Sequence, residues 1–334
     1  MLLGTDMYAN FKTGNGEEEN RGMDHNAQYL VENEMGLFVH EIREAKGYTM
    51  EEISQGICSL ATLSRIEAGE RTVDFIMIEA LLDRMKISKS EYEFVLDEED
   101  YDLYMKREEI RKEIYLKQYS QAEKLLRLYE KEHGEKHLHN QFVYFQKALL
   151  EQNLQRMERK KVRELFQKAI EVTAAEYQQT IKLKGILSDT ELFCITGLIN
   201  CCEDSKEKEE KQEELYEYFS GCCIREKLFP VPYRSAMGDY AECLYENEKY
   251  ELCIRICNEV LEELYKTSKL ENREKIFKLR AMAREKKGFK DETEKNQCLR
   301  DFLTAYYVME FYGEEDAERL KQHIEEEYGW QFTE

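Results

Sequence analysis

Hydroxyl, carboxylate and guanidinium side chains crowd one short stretch of this chain at spacings that could do specific chemistry. Thr49 precedes Glu52 by three residues, the pattern in which a hydroxyl and a carboxylate each satisfy a free backbone N–H at a helix start. Ser59 is placed to cap another helix, and Arg65 follows between Leu63 and Ile66. The Arg65 side chain offers a planar fork of donors that suits two-acceptor targets such as a carboxylate, a phosphate or the edge of a guanine. Elsewhere the candidates thin out. His133, His137 and His139 lie close together, but offsets of four and two do not bring all three to one helical face, so solvated surface positions are expected. The ten cysteines include the adjacent pairs Cys201-Cys202 and Cys222-Cys223, with Cys253 and Cys257 one helical turn apart. No Cys-x-x-Cys pair occurs, and buried free thiols are the expectation. Without a glycine-rich phosphate loop, a Ser/His/Asp order or a cysteine beside an activating group, no catalysis, metal or cofactor is expected.

The elements that must hold these residues are helices. Two prolines and 16 glycines in 334 residues leave little to interrupt them, so the chain reads as all-α. Residues 1–33 carry glycines and an acidic run without apolar periodicity, the composition of a disordered tail. From Met35 short helices follow with sharp stops. Phe38, Ile42 and Ala45 mark the core face of the first, Gly47 its end, and Thr49 the start of the second. Ile53 and Ile57 face inward on the second helix, Leu63 and Ile66 on the third, and Gly69 closes it. A fourth carries Ile78, Leu81, Leu82 and Met85. The acidic stretch Asp97–Asp100 marks a joint, giving a helical domain at 34–90, a linker at 91–103 and a second domain at 104–334.

That second domain repeats. Tyr119/Ala122/Leu126/Tyr129 and Tyr250/Cys253/Cys257/Val260 share one register, with looser copies at Val162/Phe166/Ala169 and Leu215/Phe219/Cys222 and a degraded one from Phe289. The anchors at 122, 162, 215, 253 and 292 stand 40, 53, 38 and 39 residues apart, a spacing near that of paired-helix solenoids. The charged stretch Ser205–Glu214 accounts for the long interval as a solvated loop or helix start. A formal net charge of −21 excludes a protein that coats nucleic acid through bulk electrostatics. With no secretory pattern at Met1 and no apolar run near the ~18 residues of a membrane span, the expected compartment is the cytoplasm.

Residues 36–87, including TMEEISQGICSLATLSRIEAGER, resemble the XRE-type helix-turn-helix, and the short turn Gly56-Ile57-Cys58-Ser59 resembles that of the RRNPP superfamily of Rgg- and PlcR-like regulators. Members of that superfamily join this domain to TPR-like repeats and respond to peptides. The resemblance implies a homodimeric, quorum-sensing-like transcription regulator that binds double-stranded DNA and a short signalling peptide. Thr49, Ser59, Leu60, Ala61, Thr62 and Arg65 are the expected DNA-facing residues, because Leu63 and Ile66 must face the core. Arg43 and Glu67 match a family ion pair that fixes the first helix against the third. Met50 departs from the family, where a phosphate-reaching Gln is common, and Leu60-Ala61 is apolar where polar readers are common. Four bases against six acids leave residues 35–72 at net −2.

On the concave side of the repeats the expected peptide contacts are Arg107, Arg111, Tyr144, Lys147, Asn200, Glu242, Phe277 and Lys278, with Glu151, Asp239, Tyr245 and Arg284 beside them. Two rival readings remain open: a TPR-like adaptor that binds a partner protein and keeps a vestigial helix-turn-helix, favoured by the acidic domain, and an effector of the phosphatase-regulating Rap branch. The complete helix-turn-helix speaks against the second.

Overall fold

The computed structural model describes residues 25–332 apart from 88, 90, 91, 93, 95, 134, 135, 176, 178–182, 184, 227–231, 268–272 and 315. Among the described residues there are fifteen α-helices and no strand. The chain divides into two compact units, one running to Cys201 and one starting at Cys202. No helix of the described residues is long and apolar enough to cross a membrane.

The first unit opens with α1 (His25–Lys46), α2 (Met50–Ser54), α3 (Leu60–Glu67) and α4 (Phe75–Arg84). Residues 1–24 of the expected tail lie outside the described residues, but α1 already begins at His25, inside the stretch expected to be disordered. Its buried face differs from the expected one: Met35, Val39 and Arg43 turn inward, Phe38 and Ile42 are half-buried and Ala45 is exposed. Gly36 accounts for the rotation. A Cβ there would stand 1.9 Å from the Ile66 carbonyl oxygen, so only glycine lets α1 lie this close to α3. Ile53, Ile57, Leu63, Ile66, Ile78, Leu81, Leu82 and Met85 complete this core as their spacing predicts.

Next come α5 (Glu98–Tyr115), α6 (Tyr119–Glu132), α7 (His137–Leu154), α8 (Arg159–Glu171) and α9 (Asp189–Asn200). Asp97 caps α5 through the Asp100 backbone N–H at 2.8 Å, so the stretch expected to be a linker is helical from Glu98. Ala122, Leu126 and Tyr129 of α6 bury against Ile110 and Ile114 of α5 and Phe142 and Val143 of α7. This is the amphipathic stacking that the repeat register requires. The histidines are a correction. His133 and His139 are buried with their rings stacked at 5.3 Å, Tyr129 Oη shares a hydrogen bond with His139 Nδ1, and His137 Nε2 reaches the Ile57 carbonyl at 3.0 Å. Burial, then the neighbouring Arg107, pushes the His139 imidazole down to about 4, so it is neutral at pH 7.

The helix-turn-helix core does not end at α4. Leu138 of α7 joins it, and a set of charged side chains ties α4 to α9. Arg84 donates to the Gln55 carbonyl and to Glu191, and Lys86 reaches Leu187 O and Asp189 Oδ1, each at 2.7 Å. The Asp83 carboxylate accepts from the Asp189 backbone N–H at 3.2 Å and lies 3.4 Å from that of Thr190, capping α9 from outside. Gly56, at φ +72°, abuts the end of α8 so closely that a Cβ would stand 2.0 Å from the Thr173 carbonyl oxygen.

The second unit stacks α10 (Ser205–Glu226), α11 (Tyr233–Glu246), α12 (Tyr250–Thr267), α13 (Arg273–Lys287), α14 (Glu292–Tyr312) and α15 (Ala317–Tyr328) in chain order, and α11 touches both α12 and α13. Ser205–Glu214 is the first half of α10. Cys253, Cys257 and Val260 are fully buried, as are Leu215 and Phe219; the Cys222 side chain lies outside the described residues. In α14 the buried register is Cys298/Phe302/Ala305, whereas Phe289 and Glu292 are exposed; the expected last copy is therefore displaced toward the C-terminus.

Two outcomes follow from the polar interior of the first unit. Arg107 is 1% exposed and paired with Glu79 across α5 and α4, so Arg107→Ala is expected to remove about 3–5 kcal/mol of first-unit stability in urea titrations of the full chain. A loss below about 1 kcal/mol would mean that the pair contributes no more than an exposed one. Burial, with Asp189 beside it, pushes the Asp83 carboxyl up to about 6. An acid held above its unfolded value favours the folded state when protonated, so this contribution is lost as pH rises through about 6. Asp83→Asn should flatten the stability profile between about pH 4 and 6, the interval between the ordinary carboxyl value and the raised one; an unchanged slope would assign that dependence to other groups.

Candidate nucleic-acid interface

The site is built from α2, the turn and α3. Thr49 and Glu52 form the reciprocal cap at the start of α2: Glu52 N–H donates to Thr49 Oγ1 at 3.2 Å, and Thr49 N–H to Glu52 Oε2 at 2.8 Å. Gly56 in the left-handed region then turns the chain within five residues to Ser59, which caps α3 through the Thr62 N–H at 3.1 Å. Because Leu63 and Ile66 are buried at successive turns, helical geometry sends Leu60, Ala61, Ser64, Arg65 and Ala68 outward, and all five are exposed.

The orientation of α3 is held from below by one ion pair. Arg43 Nε and Nη2 donate to the two Glu67 carboxylate oxygens at 2.7 and 2.9 Å, and Nη1 donates to the Tyr48 carbonyl at 3.0 Å. His40 Nδ1 stands 3.0 Å from Glu67 Oε2. Burial alone would raise the Glu67 carboxyl, but the hydrogen bonds from Arg43 and His40 outweigh it and hold the group below its ordinary value. Glu67 is therefore a charged anchor at neutral pH, and Arg43 is committed to it.

The predicted DNA-facing residues divide into two kinds. Leu60, Ala61 and Arg65 are exposed with side chains free to meet a ligand; Arg65 forms no ion pair among the described residues. Thr49, Ser59 and Thr62 serve the helix starts, since Ser59 Oγ and Thr62 Oγ1 also share a 2.9 Å hydrogen bond. Sequence reasoning missed Arg71. It is exposed and donates to Thr62 Oγ1 at 3.3 Å, which places a second guanidinium beside the start of α3. Its distance of nine residues from Thr62, past the end of α3, left no periodic signal to find it.

The predicted peptide contacts fall in both units and are described unit by unit. In the first, Arg107 is withdrawn: it is buried between Glu79 and Tyr129, because a guanidinium facing the carboxylate of α4 cannot also face solvent. Burial would raise the Glu79 carboxyl, yet Lys89, Arg107 and Arg111 bring it down to about 2. Arg111 is half-buried, paired with Glu108 and 5.1 Å from the Phe142 ring centre. Tyr144 is half-buried with the Lys168 ammonium 6.0 Å from its ring centre, Lys147 holds Glu130 at 2.7 Å, and Glu151 and Asn200 are half-buried. In the second unit Phe277 is withdrawn, being buried beneath the Arg280 guanidinium at 5.3 Å. Glu242 is exposed and pairs at 2.9 Å with Lys275, which also reaches Asp239, while Lys278 is half-buried. Tyr245 meets the Tyr250 ring, and Arg284 is tied with Arg280 to Asp301.

Comparison with known proteins agrees with this geometry. Residues 39–92 match the family model of a helix-turn-helix domain. No curated protein sequence matches the chain. Among solved structures the chain is similar to Bacillus thuringiensis PlcR in complex with the peptide PapR7 and DNA, at 16% identity over 86% of this chain and 99% of that one, with a TM-score of 0.53. It is also similar to PlcR in its apo form, at 14% identity over 87% and 99%, with a TM-score of 0.54. The chain is thus an all-α protein that carries a helix-turn-helix domain at residues 39–92 and shares the fold of PlcR through the helical repeats that follow.

Proposed function

We propose that this protein is a sequence-specific, DNA-binding transcription regulator that acts as a homodimer and is controlled by a short signalling peptide bound to its helical repeats. The observation that carries the DNA reading is the exposed outer face of α3, where Arg65 has no ion pair among the described residues, on a helix locked from behind by Arg43–Glu67. An α-helix presented this way fits the major groove, ~12 Å wide, with its first turn and outer face toward base edges. The solved relative of like fold is bound to a peptide and to DNA, which supports both halves of the reading. A helix-turn-helix of net −2 gains little from phosphate attraction, and two coupled half-sites about one DNA turn apart, ~34 Å, supply the missing affinity. For the peptide, the candidate contacts that stay solvent-accessible, each unit taken by itself, are Arg111, Tyr144, Lys147 and Asn200 in the first and Glu242 and Lys278 in the second.

Gel shifts with DNA from upstream of its own gene test the proposal against the adaptor reading, which expects no specific shift. Arg65→Ala is expected to lose about 1–3 kcal/mol of specific binding with an unchanged melting temperature, since the side chain is exposed and unpaired. Arg43→Ala is expected to lose both, because it strands Glu67 and loosens α1 from α3. Equal melting losses in the two variants, or full operator affinity for Arg65→Ala, would overturn the assigned orientation of α3.

A further inference from the structure

The outer face of α3 has an uneven chemistry. Among the described residues of α1 to α4, Leu37 and Leu60 are the exposed large apolar side chains, and Leu60, 51% exposed, occupies the first position of α3. Ala61 is exposed beside it. The hydroxyls that flank this apolar surface are already engaged: Ser59 Oγ accepts from the Thr62 N–H and bonds Thr62 Oγ1, which in turn accepts from Arg71. Each of the two hydroxyls therefore makes two hydrogen bonds inside the cap. What α3 presents outward is an aliphatic tip on its first turn, the short Ser64 hydroxyl between, and the Arg65 guanidinium, which forms no ion pair among the described residues.

Those two chemistries select different base edges. Of the groups lining the major groove, the C5-methyl of thymine is the projecting apolar one, the C5–H of cytosine lying flush, whereas the nitrogen and oxygen atoms are hydrogen-bond donors and acceptors. A leucine pressed against a donor or acceptor would desolvate a polar edge with no bond in return. Arg65 fits the paired acceptors of guanine. Five residues separate Leu60 from Arg65, a rise of ~7.5 Å along the helix, or about two base steps at ~3.4 Å each.

Building on the DNA-binding reading above, we infer that Leu60 is a specificity-determining residue that reads a thymine methyl group in each half-site, a few base pairs from the guanine contacted by Arg65. Sequence preference then rests on one apolar and one bidentate contact. The acidic surface of the domain contributes little to it.

The test uses the full chain. A pool of random duplexes is first selected for binding, and each thymine of the enriched site is then replaced by deoxyuridine, which removes the methyl group and leaves base pairing intact. Wild-type protein should lose about three- to tenfold in affinity at one thymine of each half-site, and Leu60→Ala should bind the parent site that much more weakly while being indifferent to uridine there. Because Leu60 is exposed and alanine is the better helix former, the variant keeps its fold. Its guanine preference should persist and should disappear in Arg65→Ala instead. Wild-type binding that is insensitive to every thymine-to-uridine change overturns the inference, as does a Leu60→Ala protein that still senses the same methyl. A selection that enriches no sequence would remove the DNA-binding reading itself, and the Leu60 assignment with it; enrichment without methyl sensitivity removes only the latter.

Discussion

Arg84 is the residue through which the helix-turn-helix and the first repeats become one body. Its guanidinium is 3% exposed and lies between the Gln55 carbonyl in the turn and Glu191 of α9, which is itself completely buried. Separating these partners would leave a charge inside the protein without compensation, a state several kcal/mol above the paired one. Asp83 and Lys86 make the same connection from either side, to the backbone start of α9 and to Leu187. The end of α4 thus holds the turn before α3 and the repeat helix α9 at once. A movement of α9 either carries the turn with it or breaks a buried ion pair, so the intermediate arrangements are the unstable ones.

The interior of the first unit also explains why its reading face holds so little positive charge. Arg43, Arg84 and Arg107 are each buried against a glutamate: Glu67, Glu191 and Glu79. Each pair joins two different helices, α1 with α3, α4 with α9 and α5 with α4. Guanidinium groups spent on tertiary structure are unavailable to phosphate, and Arg65 and Arg71 are what the helix-turn-helix keeps at the surface near α3. Recognition by a domain of this kind depends on the fit of a few side chains and on the joining of two half-sites, and long-range attraction plays a minor part. The apolar character of Leu60 and Ala61 is consistent with that division of labour.

What the sequence by itself determined is local and periodic. The all-α class, the caps at Thr49 and Ser59, the inward set from Ile53 to Met85 and the repeat registers in α6, α8 and α12 rest on hydrogen bonds and spacings within about eleven residues, and such patterns are written linearly. The outward direction of Leu60, Ala61 and Arg65 was legible for the same reason, as the complement of Leu63 and Ile66. The tertiary structure decided where long polar side chains go. Arg107 has the sequence environment of a solvated helix charge, and it is buried because Glu79, 28 residues earlier, is brought opposite it. The three histidines were expected on the solvated surface because their spacing does not bring all of them to one helical face, yet the return of α7 against α6 closes His133 and His139 over Tyr129. Gly56 could be read as a turn residue, but its second constraint, contact with Thr173, depends on a packing between segments more than a hundred residues apart. Apolar periodicity records how much of a helix must be buried; which charge is buried, and against what partner, depends on long-range helix packing that no local window of sequence contains.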